Sequence, residues 1–153
     1  MGIALEELNQ EIIDYIEDPI ESTSPFVIVD PFHKIVVEDI ISIDILSIDL
    51  SKTKAGDIFH YLDEILSKKY PVVLFKNIDN ISSRKNKLDW ESLIINGLKS
   101  EDKTFMFESD NAIGGLKEYN IPFSKFKVIC TCNIYPDYLK ERGNLGWIGA
   151  DIS

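Results

Sequence analysis

The sequence predicts an α/β fold, a three-layer sandwich with a mostly parallel sheet, preceded by an acidic amphipathic helix. Three observations carry that expectation. Val72-Val73-Leu74-Phe75 and Val128-Ile129-Cys130 are apolar runs without the polar alternation of a half-exposed strand, which marks strands buried on both faces. Segments with helical spacing of apolar residues lie between the strand-like runs, as crossover connections require. At 153 residues the chain is long enough for one domain to bury a core without disulfides or metals.

In chain order, residues 1–17 place Leu5, Leu8, Ile12 and Ile16 at three- and four-residue spacing with acids on the other face, an amphipathic helix that ends near Pro19. We divide the chain into this helix and its linker, residues 1–21, and a single α/β domain, residues 22–153. The helix either packs on the domain or detaches and offers its stripe to a partner's groove. Phe26-Val27-Ile28-Val29 reads as the first buried strand, stopped by Pro31. Residues 35–41 fit a short helix or a strand equally well, and residues 42–50 alternate as a strand. Ser51-Lys52-Thr53 offers a turn and a helix N-cap. A helix over 55–69 follows, with Ile58, Leu62, Ile65 and Leu66 as its stripe and Lys68 and Lys69 complementing its dipole.

After the central strand, residues 80–87 read as a polar loop carrying Arg84, Lys85 and Lys87, and residues 88–98 as a helix built on Trp90, Leu93, Ile94 and Leu98. Residues 103–121 show the least regular pattern, with a turn at Gly114-Gly115. A further strand spans 126–133, one or two helical turns span 136–142, and a glycine-containing tail holds Trp147.

The formal charge is -10, and residues 1–33 contain no Lys or Arg while carrying Glu6, Glu7, Glu11, Asp14, Glu17, Asp18, Glu21 and Asp30. Phosphate contacts dominate nucleic-acid affinity, so this balance argues against DNA or RNA and favours a basic partner or simple solubility. No apolar run reaches the roughly 20 residues of a membrane span, and the acidic N-terminus lacks a basic n-region; a cytoplasmic location is expected. Cys130 and Cys132 form a C-x-C inside an apolar run, favouring a core role over zinc or nucleophilic chemistry. His33 and His60 lack neighbouring ligand types. We expect no metal, no cofactor and no catalytic residue.

Taken together, these pieces resemble the nucleotide-binding core of an AAA+ ATPase over roughly residues 26–142, a P-loop NTPase-like architecture. Val72–Ile81 resembles the family's apolar strand followed by Asp-Glu-Ile-Asp, and Val128–Asn133 a sensor-1 strand ending in Thr-Thr-Asn. The resemblance implies a degenerate nucleotide site made of Lys34, Asp79, Asn133 in the sensor position and Arg142 as an arginine finger. The departures are large. Asp30-Pro31-Phe32-His33-Lys34-Ile35 stands where the family has G-x-x-x-x-G-K-[ST], so the glycine backbone that curls N–H groups around phosphates and the hydroxyl that binds magnesium are both missing. Lys76 and Asn77 replace the acids that hold magnesium and activate water. ATP hydrolysis is not expected.

The reading that follows is a non-catalytic, ATPase-like protein-interaction module, a pseudo-ATPase that regulates or inhibits a partner ATPase. Its partner-binding candidates are Leu5, Leu8, Ile12 and Ile16, the basic pair Arg84 and Lys85, and Trp147, which either caps the core or anchors an interface. The 84–87 loop is either solvated or meets an acidic partner, including the N-terminal arm of a second copy in a homo-oligomer. The alternative is a small acidic immunity or antitoxin-type protein that neutralises a basic enzyme. An enzyme with an unfamiliar active site is the third reading.

Overall fold

The structure, a computed structural model, describes residues 5–18, 25–82, 84–97, 102–108, 115–140 and 148–151. Five parallel strands form one sheet in the order β2(Ile45–Asp49), β3(Val72–Lys76), β6(Lys127–Cys132), β1(Phe26–Val29) and β7(Ile148–Asp151). The two runs that suggested a parallel sheet lie side by side: Val73 pairs with Val128, Leu74 with Ile129 and Phe75 with Cys130. On the other side of β6, Phe26 pairs with Ile129 and Val29 with Cys132.

Unbroken apolarity follows from this placement, because side chains alternate between faces and both faces are covered. Phe26, Ile28, Val72, Leu74 and Ile129 form one core with Leu8, Ile12 and Tyr15 of helix α1(Leu5–Glu17). Val27, Val73, Phe75, Val128 and Cys130 form the other. That second core takes in Ile58, Leu62 and Ile65 of α3(Asp57–Lys68) and Trp90, Leu93 and Ile94 of α4(Arg84–Gly97).

Helix α1 is therefore one layer of the sandwich. Leu8 and Ile12 are completely buried, and the Tyr15 hydroxyl donates to the Val128 carbonyl at 2.9 Å while accepting from the Val128 N–H at 3.3 Å. That bond finishes the β6 backbone just before its pairing with β1 begins. Of the two roles the stripe could take, packing on the domain is the one that Leu8 and Ile12 adopt.

Four differences from the sequence expectation have physical reasons. The ambiguous 35–41 segment is a single helical turn, α2(Val37–Ile40). Helix α4 begins at Arg84, so Arg84, Lys85 and Lys87 lie on its first turns and not in a loop. Cations oppose the dipole there; packing of Trp90 and Leu93 and a buried Asn86 hold the helix instead. Residues in the irregular 103–121 region form an antiparallel hairpin, β4(Lys103–Glu108) and β5(Leu116–Ile121), with Phe105 opposite Tyr119. Its Phe105, Phe107, Tyr119 and Ile121 cover the α3 side of the core while Met106 and Leu116 face solvent. The tail contributes β7, beside β1. Between β6 and the tail, α5(Asp137–Lys140) seats Leu139 in the core. No helix among the described residues is long and apolar enough to cross a membrane.

Candidate functional site

Parallel α/β sheets place ligands at the carboxyl ends of the strands, where the strand order reverses. Here that point lies between β1 and β6: the chain leaves β1 for β2 at one side of the sheet and leaves β6 for β7 at the other. The loops after β1, β3 and β6 meet at this edge. Backbone bonds from Asp30 N–H to the Cys132 carbonyl, 2.8 Å, from Ile78 N–H to the Thr131 carbonyl, 3.1 Å, and from Leu50 N–H to the Lys76 carbonyl, 2.9 Å, extend the ladder into those loops.

The loop after β1 is closed by its own acid. Asp30 is buried, and its carboxylate accepts the N–H groups of Lys34 at 3.0 Å and Ile35 at 2.8 Å. His33 sits at φ 52, the left-handed conformation that folds the loop back. A phosphate-binding loop works by leaving such N–H groups free for an anion; here a carboxylate from the same loop holds two of them. Lys34 lies exposed, its ammonium 5.5 Å from the centroid of an exposed Phe32 ring.

At the end of β3, the Lys76 ammonium lies 3.0 Å from Glu38 of α2. Burial alone would raise the Glu38 pKa, but the hydrogen bond and charge of Lys76, together with a backbone hydrogen bond and Ser47, hold the carboxyl below its usual range. Asn77, at φ 59, donates to Asp49 at 2.8 Å and to the Ser51 hydroxyl at 3.4 Å, and Ser51 donates to the same Asp49 oxygen at 2.6 Å. Burial would raise the Asp49 pKa too; the Ser51 and Asn77 bonds bring it down. Behind this cluster Asn86 donates to Thr53 Oγ1 at 2.8 Å, and Ser82 bonds the Thr53 carbonyl, fastening the β2 loop to α4.

Asp79 and Asn133, paired in the sequence argument, are brought together. One Asp79 oxygen accepts the N–H groups of Asn133 at 3.2 Å and Ile134 at 3.1 Å, so Asp79 shapes the loop after β6. Beside it opens a cleft of about 460 Å³ lined by Asp79, Lys87, Glu91, Tyr135, Asp137 and Tyr138. Burial pushes the Glu91 carboxyl up against a smaller opposing pull from Lys87. Tyr138 donates to the Ile78 carbonyl at 2.9 Å, and its burial raises its pKa.

The remaining candidates scatter. Arg84 and Lys85 are exposed on α4; Ile16 is half-buried beside α2; Leu5 opens α1. Arg142 and Trp147 lie outside the described residues. Cys130 and Cys132 are free and buried, and burial drives the Cys130 thiol far up, the opposite of an activated nucleophile. His60 is exposed, 3.5 Å from Glu64 on the same helix. Among the described residues no three His, Cys, Asp or Glu side chains group as a metal site. Sequence reasoning missed Asp30, Asp49 and Ser51, although each stands at or just past a strand end, where the site of such a fold lies, and it missed Glu38, which α2 brings to the end of β3. Neither a protein-family model nor a curated protein sequence matches the chain.

Proposed function

We propose that this chain is a non-catalytic, ATPase-like protein-interaction module that regulates or inhibits a partner ATPase. One observation carries the non-catalytic part: the Asp30 carboxylate takes the Lys34 and Ile35 N–H groups that a nucleotide's phosphate would need. Two others support it. Lys76, in the place of a magnesium-holding acid, is tied to Glu38. The strands that resemble Walker B and sensor 1 are parallel neighbours, with Asp79 bonded to the backbone of Asn133. A module that has given up phosphate and metal binding but keeps the framework acts by presenting its surface.

The test has two arms. Millimolar ATP with magnesium is expected to leave the melting midpoint unchanged, whereas a ligand at 100 times its dissociation constant would add about 2.7 kcal/mol; a magnesium-dependent rise of several degrees overturns the reading. Crosslinking in the native cell is expected to recover an ATPase, and a recovered set without one overturns the regulatory part.

A second reading, neutralisation of a basic enzyme, is favoured by the solvent face of α1, where Glu6, Glu7, Glu11, Asp14 and Glu17 are all exposed. Reversing Glu7, Glu11 and Asp14 to Lys separates the two: it abolishes capture of a basic enzyme, with steep salt dependence in the wild type.

A further inference from the structure

At the opposite, amino end of the sheet, the end of α3 and the segments entering β3 and β6 enclose a second pocket of about 460 Å³. Its walls are apolar: Ile65 and Leu66 from α3, Tyr70 just before β3 and Phe126 just before β6. Ile65 and Phe126 belong to the core, whereas Leu66 is 37% exposed at the rim. Two cations stand at the mouth, Lys69 and Lys125, both exposed. Lys69 ends α3 in the left-handed conformation, φ 52, which turns the chain into Tyr70 along the pocket wall.

Charge at this mouth runs against the rest of the molecule. The chain carries a formal -10, yet among the described residues neither Lys69 nor Lys125 is in an ion pair. Lys125 helps to hold the Asp102 carboxyl below its usual range, but Asp102 is already engaged by the Ser124 N–H at 3.1 Å and hydroxyl at 2.6 Å. Lys68, one residue before Lys69, lies 3.7 Å from Glu64. Volume, apolar walls and a few convergent polar groups are what a small-molecule site has, and lysines at an apolar rim lay their stems on it and keep their charges in water.

We infer that this pocket binds an amphipathic anion, a small molecule with a hydrocarbon or aromatic body and a carboxylate-type head. The body fills the space between Leu66, Tyr70 and Phe126, where hydrophobic burial supplies the drive. Lys69 and Lys125 receive the head and select its sign. This site is independent of the proposed protein-binding role and sits at the other end of the strands from Asp30 and Lys76.

Decanoate, below its micellar concentration, and decylamine of equal chain length test it on the full chain by calorimetry and by amide shifts in NMR. One decanoate is expected to bind, with decylamine about tenfold weaker or worse, and the shifting amides to cluster at Lys69, Tyr70 and Phe126. Lys69→Glu with Lys125→Glu is expected to cost about tenfold for decanoate and to improve decylamine; Leu66→Ser, which removes apolar contact without adding charge, weakens both. Equal binding of the two amphiphiles, shifts centred elsewhere, or uptake only of an acidic peptide each overturns the inference. The wild-type shift map decides the matter even where a variant fails to fold.

Discussion

The two ends of the sheet are finished by different chemistry. At the carboxyl end, polar side chains satisfy one another and the loop backbone: Asp30 takes two N–H groups, Asp79 two more, and Glu38, Asp49 and Asn77 are engaged. At the amino end, Tyr15 completes the Val128 backbone, and the nearby pocket is apolar with two lysines outside any ion pair among the described residues. In an α/β fold the carboxyl end is the customary place for ligands. In this chain the carboxyl end turns most of these polar groups inward, although among the described residues Glu38 Oε1 and Asp79 Oδ1 are buried without a hydrogen-bond partner. The amino end keeps two lysines outside any ion pair among the described residues, beside an apolar pocket.

The largest expected effect comes from the layer that covers one face at both ends. Deleting residues 1–18 removes Leu8, Ile12 and Tyr15 from the core and bares Phe26, Ile28, Val72, Leu74 and Ile129. At roughly 1.5–3 kcal/mol for each fully buried large side chain, against a typical total of 5–15 kcal/mol, the truncated chain is expected to be unfolded or aggregated. Far-UV circular dichroism and size-exclusion chromatography check this. A monomeric, cooperatively melting truncation would restore the detachable-arm reading.

Next in size are the two side chains that finish backbone at each end. Asp30→Ala leaves two donors and Tyr15→Phe leaves a donor and an acceptor, each orphaned group costing about 1–3 kcal/mol when buried. Both variants should lose stability in urea melts, but only Asp30→Ala should regain part of it with added phosphate, because only there are two successive loop N–H groups freed together from an anionic acceptor. Equal phosphate response in both variants would erase the contrast between the ends.

Strands β1, β3 and β6 were legible in the sequence because two-faced burial writes itself as an unbroken apolar run. The hairpin was not, since only one of its faces is buried and Lys117 interrupts the pattern; its Nζ lies over the Phe59 ring at 4.9 Å. The start of α4 was hidden by a basic first turn that intrinsic preferences disfavour. At the site, the absence of glycine from the β1 loop was legible, but not that Asp30 takes the loop's N–H groups, because an acid's use of backbone four and five residues away depends on His33 adopting positive φ. The amino-end pocket was invisible: Lys69 and Lys125 are brought together only by the parallel pairing of β3 and β6.

Acid sharpens the same contrast. Glu38 and Asp49 are held below their usual pKa by partners at the carboxyl end. A carboxyl depressed in the folded state adds stability that is present above its unfolded pKa and is lost as pH falls through the folded value. Stability should therefore decline below about pH 4.3. Glu91 has the opposite sign, its pKa raised by burial, so it weakens the fold once ionised, and Glu91→Gln should gain stability at neutral pH with little change in acid. Urea midpoints at pH 3.5, 5 and 7 read both effects.

The smallest effect tests how firmly the carboxyl end is shut. Lys76 and Glu38 are each about one-third exposed, 34% and 30% by side chain, so water screens their attraction and the pair falls toward the range of surface ion pairs, about 0.2–1 kcal/mol. A double-mutant cycle with Lys76→Met and Glu38→Gln should return a coupling in that range, falling further in 1 M salt as the Debye length shrinks to about 3 Å. Removing the lysine also removes the charge that would repel a metal where the resemblance puts a magnesium ligand. Lys76→Asp with Asn77→Glu installs the acidic pair of the family the sequence resembles, yet it is still expected to show no magnesium-dependent ATP binding by thermal shift, because Asp30 continues to hold the Lys34 and Ile35 N–H groups. Binding by that double variant would place the block at Lys76 and Asn77, and would make the Asp30 contacts incidental to it.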